Sequence, residues 1–499
     1  MPTETPKESP ATRPDGATRF GLRLLAGPAA FAVVLLVPLG LSYEARVTLA
    51  TFACAVVWWM TRPLPWAVAA MLPFLVFPAA GVMDIAATMR LYGQPIFFWI
   101  MGTVLMGHAI EKHGVAHRFT LVFLSLPGIG SRTYRLTFAY MFMVGVVSMF
   151  VSDAATIAMT IPIGIAVVRH VQQMSGAPSD TKTNFGAFMT LGTFYAAVAG
   201  GTASMMGVPH NAIAISMLER FTGRQLGFFE WMAVGVPVFL GLLVTFYGVL
   251  WLLARPEIRT LPTAEAFLRN EREKLGPLRR DEYRVLMVFG AMVLLFTLPA
   301  LVGLLLGPAH PIARWAGRAL SVWVVPPAAM FLLFTVPSAA QPGGGLLTWK
   351  DAERHAPWGV MILVTGAVAM TDALTQFGFV DFMGGIVDRL GIGPAALPYV
   401  AAAIVAITTN LISGTAAAAL FCTLFIPAAV ETGYNPASIA VLIANVALGL
   451  VFPWAGAASA TAFAVGDIQM ERMIRIGVVA TAVFIGVVAT IHVMLARFV

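Results

Sequence analysis

Five stretches of this chain, residues 25–41, 64–82, 235–254, 286–306 and 476–497, stay apolar over about the length that takes a helix across a bilayer. In hydrocarbon every backbone N–H and C=O must find a partner, and a helix pairs them within its own segment. The chain is therefore expected to be an all-α polytopic membrane protein. Composition agrees, with 59% of the 499 residues hydrophobic and only 11% charged. Residues 1–18 are rich in Pro, Thr and Glu, lack the basic start and apolar core of a cleaved signal peptide, and are expected to form a disordered tail. Cys54 and Cys422 lie in apolar context and leave no disulfide framework. The formal charge of +7 is concentrated in loops, where it bears on topology and lipid headgroups rather than on nucleic acid.

The longest polar interruption, 255–284, holds eight Lys/Arg against six Asp/Glu. By the positive-inside tendency it is expected in the cytoplasm. It divides the chain into a first part, 19–254, and a second, 285–499, and the two are weakly alike. At an offset of 264, Gly102, Met106, Ala109 and Gly114 meet Gly366, Met370, Ala373 and Gly378. At nearly the same offset, "VSDAATIAM" from Val151 pairs with "ISGTAAAAL" from Ile412. Each part then carries an irregular stretch rich in small residues, "AGGTASMMGVPHNAI" at 199–213 and "LGLVFPWAGAASATAF" at 448–463. Helix breaks at bilayer depth survive only where protein buries them or they line a cavity. Duplicated secondary transporters place such breaks around a midplane site, with the repeats often inverted. Small-residue helix packing is the competing explanation for any one segment; four in paired order favour the site. No nucleophile motif, phosphate loop or metal-ligand cluster points to an enzyme.

Asp153 is the sharpest anomaly, in "MFVSDAATIAMTIP" from Met149. A carboxylate at the bilayer centre costs roughly 2.5–3.5 kcal/mol on insertion scales and commonly marks an ion or substrate path. The plainer role is a helix cap that accepts N–H bonds from Ala155 or Thr156. His210 is a second possible proton group, more often satisfied by a neighbour in such a place. His108, Glu111 and Asp372 are expected at interfaces near helix ends. Met205, Met206 and the tryptophans are expected to pack or anchor.

From Trp58 to Ala464 the chain resembles the divalent anion:sodium symporter family. The likeness is carried by "WWMTRPLPWAVAAMLPFLVFPAAGV" from Trp58, "AIEKHGVAHR", "GFFEWMAVGVPVFL" at 227–240 and "LLTWKDAERHAPWGVMILVTGAVAM" at 346–370. The resemblance implies about eleven transmembrane helices, two re-entrant hairpins in inverted repeats (here near 134–168 and 395–430), a homodimer in a bacterial-type inner membrane, and an elevator-like movement. It also implies a small anionic substrate, di- or tricarboxylate-like, with sodium or a proton as coupling ion and no other cofactor.

In that family each hairpin tip carries Ser-Asn-Thr and each partner helix breaks at a Thr/Pro-rich turn ending in Asn. Here the tips are Ser152-Asp153-Ala154 and Ser413-Gly414-Thr415, and the breaks are Gly207-Val208-Pro209-His210-Asn211 and Ala455-Gly456-Ala457-Ala458-Ser459. Arg62 stands where the family motif usually has Glu. Carried over position by position, the resemblance assigns substrate contact to Ser152, Asp153, Ala154, Val208, Pro209, Asn211, Ser413, Gly414, Thr415, Gly456, Ala457 and Ser459. It assigns cation contact, with sodium as the metal, to Ser148, Ser152, Asp153, Gly207, Thr409, Ile412, Gly414 and Ala455. An ionised Asp153 repels a bound anion unless a proton or a cation neutralises it, which is a means of coupling. A cation or proton exchanger, or an inorganic oxyanion permease of related fold, is the alternative.

Overall fold

A computed structural model describes residues 14–174, 183–261, 263–307, 309–379, 382, 393–466 and 468–498. Among them the secondary structure is helical, with two isolated bridges, Arg132 to Thr260 and Pro337 to Gly345. Seven helical segments are long and apolar enough to cross a membrane: Ile85–Lys112, Asp153–Met174, Phe228–Leu253, Arg280–Leu306, Trp358–Gln376, Gly414–Thr432 and Met470–Phe498. Six shorter apolar ones, of 10–17 residues, include Leu397–Thr409 and Pro436–Val446. At about 1.5 Å per residue these reach only part of the roughly 30 Å hydrocarbon layer. Leu397–Thr409 is one arm of a hairpin and Pro436–Val446 one half of a broken helix.

Several sequence expectations shift at their edges. The first helix runs Pro14–Leu36, so 14–18 are helical where a tail was expected, while 1–13 lie outside the described residues. The apolar run 64–82 is not one helix but two, Trp66–Ala69 and Leu72–Ala79, because Pro65 precedes the first and Pro73 opens the second. The polar interruption 255–284 contains a helix, Ala264–Lys274, and its last five residues already belong to Arg280–Leu306. Asp372, near the end of Trp358–Gln376, is buried: its side chain is 7% exposed and pairs with Arg220 at 2.5 Å. Gln94 donates to the same carboxylate at 3.3 Å and accepts from Arg220.

Burial separates two kinds of span. In the apolar window of Arg280–Leu306 22% of residues are buried, against 72% in Trp358–Gln376. The first therefore leaves most of its surface uncovered by the rest of the chain, while the second is enclosed by other helices. The two halves interlock. Pro95–Lys112 packs against Val325–Thr335 from the other half, and Trp358–Gln376 packs against Trp66–Ala69. Each crossing is made at the paired glycines found in the sequence. A Cβ on Gly102 would lie 2.5 Å from the Pro326 carbonyl, and one on Gly366 would run into the Ala70 carbonyl. Only Gly admits backbone so close.

Candidate functional site

Both expected hairpins are present as helix–turn–helix units. Thr133–Ser148 turns through 149–152 into Asp153–Met174, and Leu397–Thr409 turns through 410–413 into Gly414–Thr432. Both partner helices break. Asn184–Gly201 resumes as Pro209–Thr222, and Pro436–Val446 resumes as Ala457–Val465. Assembly is reciprocal: Pro209–Thr222 lies on the second hairpin's Gly414–Thr432, and Ala457–Val465 lies on the first hairpin's Asp153–Met174.

The 207–210 turn thereby meets both tips. On one side Gly207, Val208 and Pro209 share a narrow cleft with Ser152, Trp99 and Thr103. On the other, a Cβ at Gly414 would lie 3.2 Å from His210 Nδ1 and would run into the Ala447 carbonyl. Glycine at 414, where the family carries Asn, thus leaves room for a histidine one position before Asn211. The cleft measures about 10 Å³, space for about one water, so a larger ligand enters only if the walls move.

At the first tip Asp153 opens its helix, and its Oδ1 accepts from Ala154 N–H at 2.8 Å. It caps as expected of an acid at a helix start, but through Ala154 rather than Ala155 or Thr156. Ser152 contributes its carbonyl to Thr156 N–H at 2.9 Å. Both residues are half-buried, and Asp153 has no ion-pair partner among the described residues. Ser148, one turn earlier, is fully buried, with Oγ unpartnered.

Asn211 closes the first break. Its Nδ2 donates to the carbonyls of Gly201 at 2.9 Å and Ser204 at 2.8 Å, which leaves Oδ1 a buried acceptor without a partner. Since its donors are spent on backbone, the group it has left suits a cation better than an anion. Ser204 Oγ donates to the Met149 carbonyl beside Ser148 and accepts from Met206 N–H at 3.1 Å, so break and tip are tied together. His210 is 6% exposed with Nε2 unpartnered, and the Trp99 indole N–H is likewise buried and unpartnered.

The second tip is quieter. Ser413 Oγ caps its helix by accepting from Ala416 N–H at 3.2 Å. Thr415 is half-buried; Thr409 donates to the Val405 carbonyl at 2.7 Å; Ile412 and Ala455 are buried. In the second break Ser459 Oγ accepts from Gly456 N–H at 2.9 Å and faces the carbonyls of Pro453 and Gly456 at 3.2 and 2.9 Å. The Ser459 hydroxyl therefore serves the break itself. Asn410, just before the tip, accepts from Leu450 N–H at 3.0 Å and Val451 N–H at 2.8 Å and so holds the unwound 447–456 segment. Arg62, in the left-handed region at φ 53°, donates to the Trp454 carbonyl of that segment at 3.2 Å and lies 5.1 Å over Trp66.

Trp99, Thr103, Ser204 and Asn410 escaped the sequence reading. Ser204 stood inside the first quoted break and Asn410 just before the second quoted tip, as polar residues in apolar runs; nothing local marked Trp99 or Thr103.

The sequence matches the family model for the sodium:sulfate symporter transmembrane region over residues 20–498. The sodium-dependent dicarboxylate transporter SdcS of Staphylococcus saprophyticus is 25% identical over 464 residues, 91% of this chain and 87% of that protein. The SdcS of Staphylococcus aureus matches with the same identity and coverage. Among solved structures, the YdaH transporter of Alcanivorax borkumensis aligns with a TM-score of 0.54 at 13% identity, over 83% of this chain and 87% of that one, a likeness of fold.

Proposed function

The chain belongs to the sodium:sulfate symporter family and is a membrane transporter rather than an enzyme, and on that premise we propose that it carries a small organic anion, di- or tricarboxylate-like, coupled to sodium or protons. The observation that carries this proposal is the 207–210 turn lying between the two hairpin tips, against Ser152 on one side and Gly414 on the other. Hydroxyls of Ser152, Ser413 and Thr415, the Trp99 indole N–H and a His210 N–H are the donors for an anion's oxygens. The exposed start of the Ala457–Val465 helix adds backbone N–H to them. On the cation side stand two buried acceptors without partners among the described residues, Ser148 Oγ and Asn211 Oδ1, with main-chain carbonyls of the break to complete the shell. In this scheme Asn211 moves from the substrate to the cation, and Ser459 acts by shaping the break.

The relatives named for sodium-dependent dicarboxylate transport support the substrate class and sodium. Movement is of elevator type, with hairpins and broken helices travelling as one body in a homodimer, in an inner membrane with 255–284 cytoplasmic. The test is uptake of labelled succinate and citrate into proteoliposomes under separate sodium and proton gradients. Uptake driven by either gradient supports the proposal. Sodium or proton flux with no dependence on an organic anion instead favours exchange through Asp153, which has no ion-pair partner among the described residues.

A further inference from the structure

Away from the hairpins, the end of the Pro95–Lys112 helix meets the short Trp349–His355 helix, and there His108, Asp351 and His355 bring one ligand atom each to within 4.8 Å of one another. The two imidazoles stack, with centroids 3.6 Å apart and planes at 14°. We propose that these three side chains form a binding site for a divalent transition-metal ion of the zinc class, separate from the transport site.

The chemistry of the free atoms supports it. Both ring nitrogens of His108 are buried and unpartnered, on a side chain 11% exposed. Its Nε2 faces Asp351 Oδ1 at 3.8 Å, and its Nδ1 faces Glu111 Oε2 at 3.8 Å. His355 Nδ1 lies 3.0 Å from the Asp351 main-chain carbonyl and is therefore the protonated nitrogen. Metal-binding histidines characteristically donate one N–H to a carboxylate or carbonyl, which fixes the tautomer and aims the other lone pair at the metal. Here that leaves Nε2 of both rings as the ligand atoms.

Asp351 divides its work in the same way. Oδ2 takes all its described hydrogen bonds, from Lys112 Nζ at 2.9 Å and from Thr348 N–H and Oγ1 at 2.7 Å each, and Oδ1 is left over. Against the cost of partial burial, Lys112 and Thr348 hold the Asp351 carboxyl below the usual carboxylate range, so it meets a cation already ionised. Two imidazoles and a carboxylate, with a fourth position open to water, are the ligand set of tetrahedral zinc. In a tetrahedral site donors about 2.0–2.1 Å from the ion lie about 3.4 Å apart, and stacked rings aim their in-plane lone pairs side by side, so the exposed His355 ring must leave its stack and turn toward Asp351 Oδ1 as the ion binds. Lys112 opposes binding by its charge and sets the affinity below that of an all-neutral surround. A bound ion ties the helix that carries Trp99 to the segment leading into its counterpart, Trp358–Gln376.

The test uses the purified full chain in detergent, with any affinity tag removed and metal stripped by chelator. Titration with Zn2+ by calorimetry should give one ion per chain, and Co2+ should give the intense visible absorption of a tetrahedral nitrogen–oxygen site. His355→Ala, at an exposed position, and His108→Asn should each weaken Zn2+ binding more than about tenfold and abolish the Co2+ band. His310→Ala, at the start of the Pro311–Ala319 helix and outside the three-residue cluster, should leave both unchanged. Zn2+ affinity retained in His355→Ala or His108→Asn, or a parent that binds no ion, overturns the proposal.

Discussion

Asp153→Asn separates two jobs that one carboxylate performs at the first tip. The Asn Oδ1 can still accept from Ala154 N–H, the 2.8 Å bond that starts the helix. What the hairpin loses is the charge at a helix N-terminus, worth about 0.3–1 kcal/mol, so the unfolding temperature should move little. The anion gains much more. If Ser152 holds the substrate, the next residue's carboxylate lies about 6 Å from its charge, and at an effective dielectric of about 20 the repulsion is about 3 kcal/mol, roughly a hundredfold in affinity. The parent must relieve that repulsion with a proton or a cation. With protons, parent affinity for the anion falls as pH rises and Asp153 ionises, while the variant's affinity stays flat. With sodium, parent affinity rises steeply with sodium and the variant's rises less. Equilibrium binding of labelled succinate or citrate across pH and sodium concentration, in parent and variant, reads both cases. A variant that keeps the parent's full pH and sodium dependence refutes the reasoning, and Asp153 is then a cap alone.

Thr415→Ala removes a half-buried hydroxyl from the second tip and should weaken anion binding by about 1 kcal/mol; unchanged affinity in the same assay takes Thr415 out of the site. Asn410→Ala leaves the N–H groups of Leu450 and Val451 without their acceptor, at roughly 1–3 kcal/mol each. Thermal unfolding should fall and transport should be lost, although Asn410 is nowhere near Asp153 in sequence. Asn410→Asp, which keeps the acceptor, should retain more of both. Gly414→Ala places a Cβ against the Ala447 carbonyl and His210, an overpacking of about 1–3 kcal/mol; an unfolding temperature equal to the parent's would mean that the second tip is not seated on His210.

Much of this protein is local in origin and was legible as such. Apolar runs of bilayer length dictated helices, since hydrocarbon offers the backbone no other partner. Clusters of Gly, Ser and Pro marked the breaks at 202–208 and 447–456, because those residues do not hold a helix together, while the turns at 149–152 and 410–413 were marked by the acid at 153 and by the likeness of the segments from Val151 and Ile412. The paired glycines at 102 and 366 marked two close helix crossings. What the polar atoms do was not local. Asn211 and Ser459 carry the right chemistry for a ligand, yet the fold turns their hydrogen bonds onto their own breaks. Asp372, near a helix end, is buried because Arg220 from another helix reaches it. Asn410 matters through backbone some 40 residues away, and His108 meets His355 across 247 positions. A helix pattern states which face is apolar, but a hydrogen bond or a ligand set depends on which helix crosses that face and at what height, and only the packed tertiary structure decides that.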